Sequence, residues 1–465
     1  MFWMLVEKEI KHNVLSLKFM IVWALLFVLI IASTLMLATS NKKRSMEYRA
    51  FQKRQREVLE EMESSYDLRQ GVTIAQRPPA LSPLATGLEK ETSRSVHISS
   101  YSGSKQGPTA YTNPLFSLIS SPDLGFVVSV IVSLLALLLT FDGISGENAG
   151  GTLKQTMADS VPRHVFLLGK WLGGYLSLAV PFLLAALIGL AIAVVTGQMD
   201  LDTHQWTAIR LLLGLSLLYI SVFCTMGLFI STITHRPPVS LMICLFLWIF
   251  LVLAVPNLMP VLAGQMVETP SVSYLARMRQ AIEAEEWRKA SPEIKKADDY
   301  DAQRELIGQV METIDQRWTE VKTKAVNKRN EQIIIASWLS RLSPSASYTF
   351  AASNFAGTGL LDYRGLGEQV ERYEDDFRQA AVEIREEEVQ AQKEAGGEPS
   401  WGRWSPDDVS KAVFNIEKVP KYEFVASSLT SRLKASLIDI VLLALLNIAL
   451  FMGALAGFLR YDLCK

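Results

Sequence analysis

The chain has 465 residues, of which 49% are apolar and 20% charged, with a formal net charge of −1. It is too apolar for a simple soluble enzyme and too charged for a bare membrane bundle, and the near-zero net charge excludes a global basic field that would draw in nucleic acid. Its cysteines, Cys224, Cys244 and Cys464, lie in apolar stretches or near the C-terminus, so the large polar regions cannot be held by disulfides.

At the start of the chain, Trp3, Val6, Ile10, Val14 and Leu17 share a helical face opposite Glu7, Lys8 and Lys11. This pattern predicts an interfacial elbow helix over residues 1–18, the alternative being a polar leader with chance spacing. A span needs about 20 apolar residues to cross about 30 Å of hydrocarbon. Residues 19–38 form an uncharged first span, too long and too acidic in its leader for a typical cleaved signal. A polar region follows over 40–123: Met46 to Met62 is charged and helix-prone, while 76–87 and 99–108, rich in Pro, Ser and Gly, are predicted to be irregular. Further spans are predicted at 125–141, 171–196 with Pro181 inside, 211–233, and 238–264 with Pro256 and Pro260 near its end. A second polar region covers 265–434, a last span covers 436–459, and a tail covers 460–465. The second polar region carries two apolar stripes at helical spacing: Ile307, Val310, Ile314, Trp318 and Val321, then Val370, Tyr373, Phe377, Ala381 and Ile384. The simple expectation is that they pack on each other; the alternative is that one docks a partner.

Short loops orient the bundle. The loop between spans three and four has Asp200 and Asp202 and no basic residue before Arg210, whereas Lys154, Arg163, Lys170, His235, Arg236 and Arg460 gather on the other side. Both termini are therefore expected in the cytosol, with the two polar regions outside. Lys42, Lys43 and Arg44 follow span one on the outer side, against the rule; long loops cross largely regardless of charge. The fold class expected is mainly α: a six-helix polytopic membrane bundle with an N-terminal interfacial elbow helix and a helical extracytoplasmic domain built from two long loops.

The segment 142–170 carries the functional signal. An idle turn between spans needs few residues, yet Phe141 to Gly174 holds a glycine-rich entry, an amphipathic stretch Thr152–Ala158, then Pro162 and a basic step into the next span. It resembles the coupling-helix region of permeases in the type-2 ATP-binding cassette (ABC) exporter family, whose pattern is close to D-x-I-S-x-E-x-x-x-G-T-L, then P-x-x-R and G-K. Asp142, Ile144, Ser145, Glu147, Gly151, Thr152 and Leu153 match it, as do Gly169 and Lys170. Arg163 departs from it by following Pro162 directly. The leader before span one resembles the family's elbow. Residues Arg341 to Gly359 look like the segment before the last span in the branch with enlarged outer loops, related to permeases for nitrous oxide reductase maturation and gliding motility.

The resemblance implies that two copies of a separate ABC ATPase subunit grip the loop around Glu147–Met157, and that ATP and Mg bind in that partner with no cofactor held here. It implies a second permease subunit (another copy or a near relative), contact with membrane lipid, room for an extracytoplasmic protein partner, and a bacterial plasma membrane. The plain alternative for Glu147 is an acid favouring a helix N-terminus. The chain has no GxxxxGK[ST] of its own, since Trp171 follows Gly169-Lys170. No catalytic or metal-ligating pattern is found: His12, His97, His164, His204 and His235 stand singly. Asp439 and Asn447 are the polar candidates inside span six, the first near enough to its outer end to snorkel, the second placed to bond between spans. Trp338, Tyr348, Phe350 and Phe355 read as core or interfacial anchors. The competing function is a six-span scaffold or signalling protein without an ATPase, which would have no use for the 142–170 segment.

Overall fold

The computed structural model describes residues 2–90, 95–99, 103–106, 122–158, 161–296, 300–395 and 414–461. Among them, six helices are long and apolar enough to cross a membrane, and the fold is mainly α. The chain divides into two compact units, one of 1–248 with 347–465 and one of 249–346.

In the first unit, α1 (Phe2–Val14) leads into α2 (Leu17–Glu60), a single helix of 44 residues opened by Ser16, whose hydroxyl accepts from Phe19 N at 3.2 Å. At 1.5 Å per residue α2 is about 66 Å long, twice the hydrocarbon thickness. The apolar stretch 19–38 and the charged stretch after it are therefore one rod. Arg44 is built into that rod: it pairs with Glu89 at 2.7 Å, both side chains nearly buried, and donates to Ser82 Oγ at 3.1 Å.

The polar part of this unit is not all irregular, as the Pro/Ser/Gly content had suggested. After α3 (Ser65–Gln70), strands β1 (Val72–Ala75), β2 (Ser95–Ser99) and β3 (Gly103–Gln106) form an antiparallel sheet in the order β1-β2-β3, with Val72 opposite Ile98 and Val96 opposite Gln106. Residues 100–102, 107 and 108 of the stretch expected to be irregular lie outside the described residues. Before the sheet's second strand, 80–84 turn without regular structure. The sheet buries Val72, Ile74 and Ile98, with Leu68 and Val419, against one face of a long helix (Leu360–Glu394) that presents Tyr373, Phe377 and Ile384. On the same helix Glu388, buried, accepts from Ser65 N at 2.7 Å and from the Ser65 hydroxyl, and so caps α3.

The membrane-crossing helices of this unit are pinned by polar contacts. Asp123 caps the second span, accepting from Phe126 N at 2.6 Å and Thr86 N at 2.8 Å. That span contains a π-helical turn (Val127–Val132) before α4 (Ser133–Thr140), and Tyr219 donates to the Ser129 carbonyl within it at 2.8 Å. After two short helices, α5 (Ser145–Ala149) and α6 (Thr152–Ala158), α7 runs from Arg163 to Val195 unbroken through Pro181. It thus starts eight residues before the apolar stretch that opens at Trp171. α8 (Thr203–Ile233) starts equally early, on a capping box of Asp202 and Gln205. α9 (Pro237–Trp248) belongs to this unit and donates from Trp248 Nε1 to Ser133 Oγ at 2.9 Å.

In the second unit a π-helical turn (Ile249–Ala254) leads into α10 (Val255–Met266). Pro256 has no N–H for the carbonyls one turn back. The Ser343 hydroxyl takes over one of them, donating to Leu251 O, and Ser345 Oγ lies 3.5 Å from Val252 O. α11 (Val272–Lys296) and α12 (Tyr300–Ser340) form a hairpin whose core is Ile282, Val310 and Ile314, flanked by Trp287 and Val321. The two apolar stripes therefore do not cover each other. The first is buried on α11 in this unit; the second lies on the helix over the sheet in the other.

The chain returns to the first unit in α13 (Pro344–Ala356), then α14 (Leu360–Glu394) and α15 (Leu429–Leu459). Tyr348 and Phe355 are buried, whereas Trp338 is exposed, so the aromatic ladder splits between core and surface.

Candidate functional site

The residues singled out between spans two and three gather at one end of the bundle. Ile144 and Ser145 enter α5 with both backbone N–H groups donated to Ser231 Oγ of α8, each at 3.0 Å. Two otherwise orphaned donors of a helix start are thereby satisfied by one hydroxyl. Asp142 precedes the turn and its carbonyl accepts from Gly146 N at 2.7 Å. Gly151 joins α5 to α6 at φ +73°, a backbone state that favours glycine, and its surroundings are open. Leu153 is fully buried with Ile144, Val161, Phe166, Leu228 and Phe458, while Thr152, Lys154 and Gln155 are exposed. α6 therefore presents a polar face to solvent and is held by one apolar side.

Glu147 does not point outward. Its carboxylate lies 2.6 Å from Lys170 Nζ and 3.9 Å from Lys8 Nζ, with 13% of its side chain exposed. Lys170, on α7, also binds Glu9 of α1 at 2.6 Å. The resulting Glu9–Lys170–Glu147 chain joins three helices through nearly buried charges, where pairing matters most. Its spacing is set by glycines on α7. A Cβ added at Gly173 would lie 2.5 Å from Glu9 Cβ, so α1 can seat only against a bare backbone. Asn13 adds a bond to Ser177 Oγ at 3.3 Å.

Pro162 is the N-cap residue of α7, and Arg163 beside it donates to the Phe458 and Leu459 carbonyls at 2.7 and 2.8 Å. Those are end carbonyls of α15, where a cation also opposes the negative end of the helix dipole. Arg163 thus fastens span three to span six.

Of the polar candidates in α15, Asp439 is fully buried. Asn447 bonds across spans: its Nδ2 donates to Ser221 Oγ and its Oδ1 faces Thr225 Oγ1, both at 2.6 Å. Trp171 Nε1 donates to the same Thr225 hydroxyl at 2.8 Å. Neither residue joins the cluster around Glu147. The sequence reading missed Ser231 and Glu9 as partners. Ser231 is one of several serines in an apolar helix, and Glu9 reads as one more charge on an amphipathic leader. In the sequence the adjacent Gly173 and Gly174 mark a place where a helix can approach closely, but not which helix or which residue does so.

These features define a polytopic α-helical membrane protein with a short two-helix segment locked onto one end of its bundle. The family model described as ABC-2 family transporter protein matches residues 3–381, and the chain belongs to that family. The probable ABC transporter permease protein NosY of Stutzerimonas stutzeri is 37% identical over 100 residues, a stretch that covers 20% of this chain and 35% of that relative. The match therefore spans about a third of the relative's length.

Proposed function

We propose that this chain is the permease subunit of an ABC transporter, and that α5 and α6 transmit movement from a separate ATPase subunit to the spans. The observation that carries the reading is the two-sided build of this segment. Its inner side is fixed to α8 through Ser231, to α7 and α1 through Glu147 and Lys170, and to the apolar cluster through Leu153. Its outer side offers Thr152, Lys154 and Gln155. A push on the exposed face reaches three helices without slack. In this reading Glu147 is an internal strut, and the gripping surface is α6.

Two ATPase subunits would bind ATP and Mg and would dock from the cytosol, where both termini also lie. A second permease subunit, the same chain or a relative, would complete the pair in a bacterial plasma membrane. The large polar regions suit export, or mechanical work on a protein partner outside the membrane. A photo-crosslinking residue at Gln155 in the native host tests the contact. The expected result is a covalent adduct with an ABC ATPase, absent when the residue is placed at Trp206. Adducts at neither position, from a correctly inserted protein, would overturn the docking assignment.

A further inference from the structure

We infer that the charged faces of α2 and α14 form a docking surface for a second copy of this chain, with α2 of each copy laid against α14 of the other. The inference rests on the proposed second permease subunit and makes that subunit another copy. α2 continues as one helix past the apolar stretch 19–38, so residues 39–60, about 33 Å of helix, stand beyond the hydrocarbon. α14 stands beside it in the same unit and runs the same way. At one end Arg44 of α2 pairs with Glu89, and Glu89 and Asp362 of α14 line one small cavity. At the other end Leu59 and Met62 pack on the apolar cluster that holds Phe377 and Ile384. Directly after α2, Glu388 of α14 caps α3.

The two rods carry opposite charge. Residues 42–56 of α2 hold seven basic residues against Glu47, a net of +6. α14 holds eleven acidic and five basic residues, a net of −6. On α2, Lys42, Arg49, Lys53 and Arg56 recur at steps of seven, four and three residues, which sets them on one exposed stripe. On α14, Glu368, Glu371 and Asp375 form an exposed stripe at steps of three and four, on the side turned away from the buried Tyr373, Phe377 and Ile384. Arg372 is the exposed basic residue on its flank.

The stripes also match in height. With Arg44 and Asp362 taken as level across the shared cavity, Arg49, Lys53 and Arg56 stand about 8, 14 and 18 Å along α2. Glu368, Glu371 and Asp375 stand about 9, 14 and 20 Å along α14. Two copies inserted the same way round are related by a two-fold axis along the membrane normal, and rotation about it preserves both height and direction. Arg49 of one copy then meets Glu368 of the other, Lys53 meets Glu371, and Arg56 meets Asp375, each twice by symmetry. The alternative of α2 against α2 would set the basic stripes on each other. Exposed ion pairs are weak singly, so this surface fixes which faces meet. Anchoring of both copies in one membrane raises their effective concentration.

The test uses the full chain with Cys224, Cys244 and Cys464 replaced by alanine, made as two differently tagged copies in one cell. One copy carries Lys53→Cys and the other Glu371→Cys, and the membranes are treated with a short thiol crosslinker. The expected result is a crosslinked dimer bearing both tags. Its yield should be several-fold above that of Lys53→Cys with Gln390→Cys, an exposed position about 28 Å further along α14. Adding Arg49→Glu and Arg56→Glu to the first copy should cut the yield several-fold, and adding Glu368→Lys and Asp375→Lys to the second should restore it. Such a rescue belongs to a contact between copies and not to damaged folding. Copies that co-purify through their tags yet crosslink no better than the Gln390 control would overturn the surface and leave the permease pair standing. Copies that do not co-purify at all would overturn both.

Discussion

Lys170 ties α5 to α1 and α7. It serves two carboxylates from two other helices, and all three side chains are nearly buried. Removing the lysine leaves two like charges facing each other at low exposure. Breaking a buried pair this way costs about 3–5 kcal/mol, toward the low end where some solvent reaches the site. Lys170→Met is therefore expected to lower the thermal midpoint of the detergent-solubilised protein clearly more than Glu147→Gln, which leaves the Glu9 pair intact. An unchanged midpoint for Lys170→Met would show that the cluster contributes nothing. The glutamate's motif position was legible in the sequence; its inward direction was not, because the lysine that turns it lies 23 residues further on and the second acid sits in the leader.

At the scale of elements, the helix Leu360–Glu394 and the sheet beneath it stand or fall together. Phe377 is buried among Val72, Ile74 and Ile98, and Phe377→Ala is expected to destabilise that part of the protein by about 3–5 kcal/mol. Hydrogen exchange should quicken in the strands and in that helix while the spans keep their protection. Tyr373 on the same face donates to Pro420 O at 2.9 Å, and burial pushes its hydroxyl up to about 12, so it stays a donor through neutral pH.

The α11–α12 hairpin is a different case, with a thin core and an ion cluster. Lys289, by hydrogen bonding, and Arg317 hold the carboxyls of Glu285 and Glu286 below their ordinary range. Groups whose folded pKa is depressed give stability that is present above the unfolded value and lost as pH falls through the folded one. The hairpin should therefore keep its inter-helix distance, measured between spin labels on the two helices, down to about pH 4.5 and loosen below it. Loosening between pH 8 and 6 would contradict the assignment.

Sequence patterns reached these elements unevenly. The spans were readable because uninterrupted apolar runs have few other uses. The two stripes were readable as buried faces, but not what covers them, since periodicity fixes a face and not its neighbour. The strands escaped notice because they are four to five residues long and sit in turn-rich sequence.

For the molecule as a whole, we propose that the membrane bundle is driven through the α5–α6 segment between spans two and three. Polar contacts that would carry such a movement join its helices: Arg163 joins spans three and six, Asn447 and Thr225 join spans four and six, and Ser231 joins α5 to span four. A scaffold without an ATPase would share the spans but would not require α6 to be rigidly held and outwardly polar. The most direct measurement is purification of the solubilised protein from its native host, wild type beside Lys154→Glu, followed by identification of co-purifying chains. The expected result is an ABC ATPase in stoichiometric amount with wild type and a several-fold loss with Lys154→Glu, at unchanged thermal midpoint. Wild-type protein that is folded and intact yet brings no ATPase with it would contradict the account.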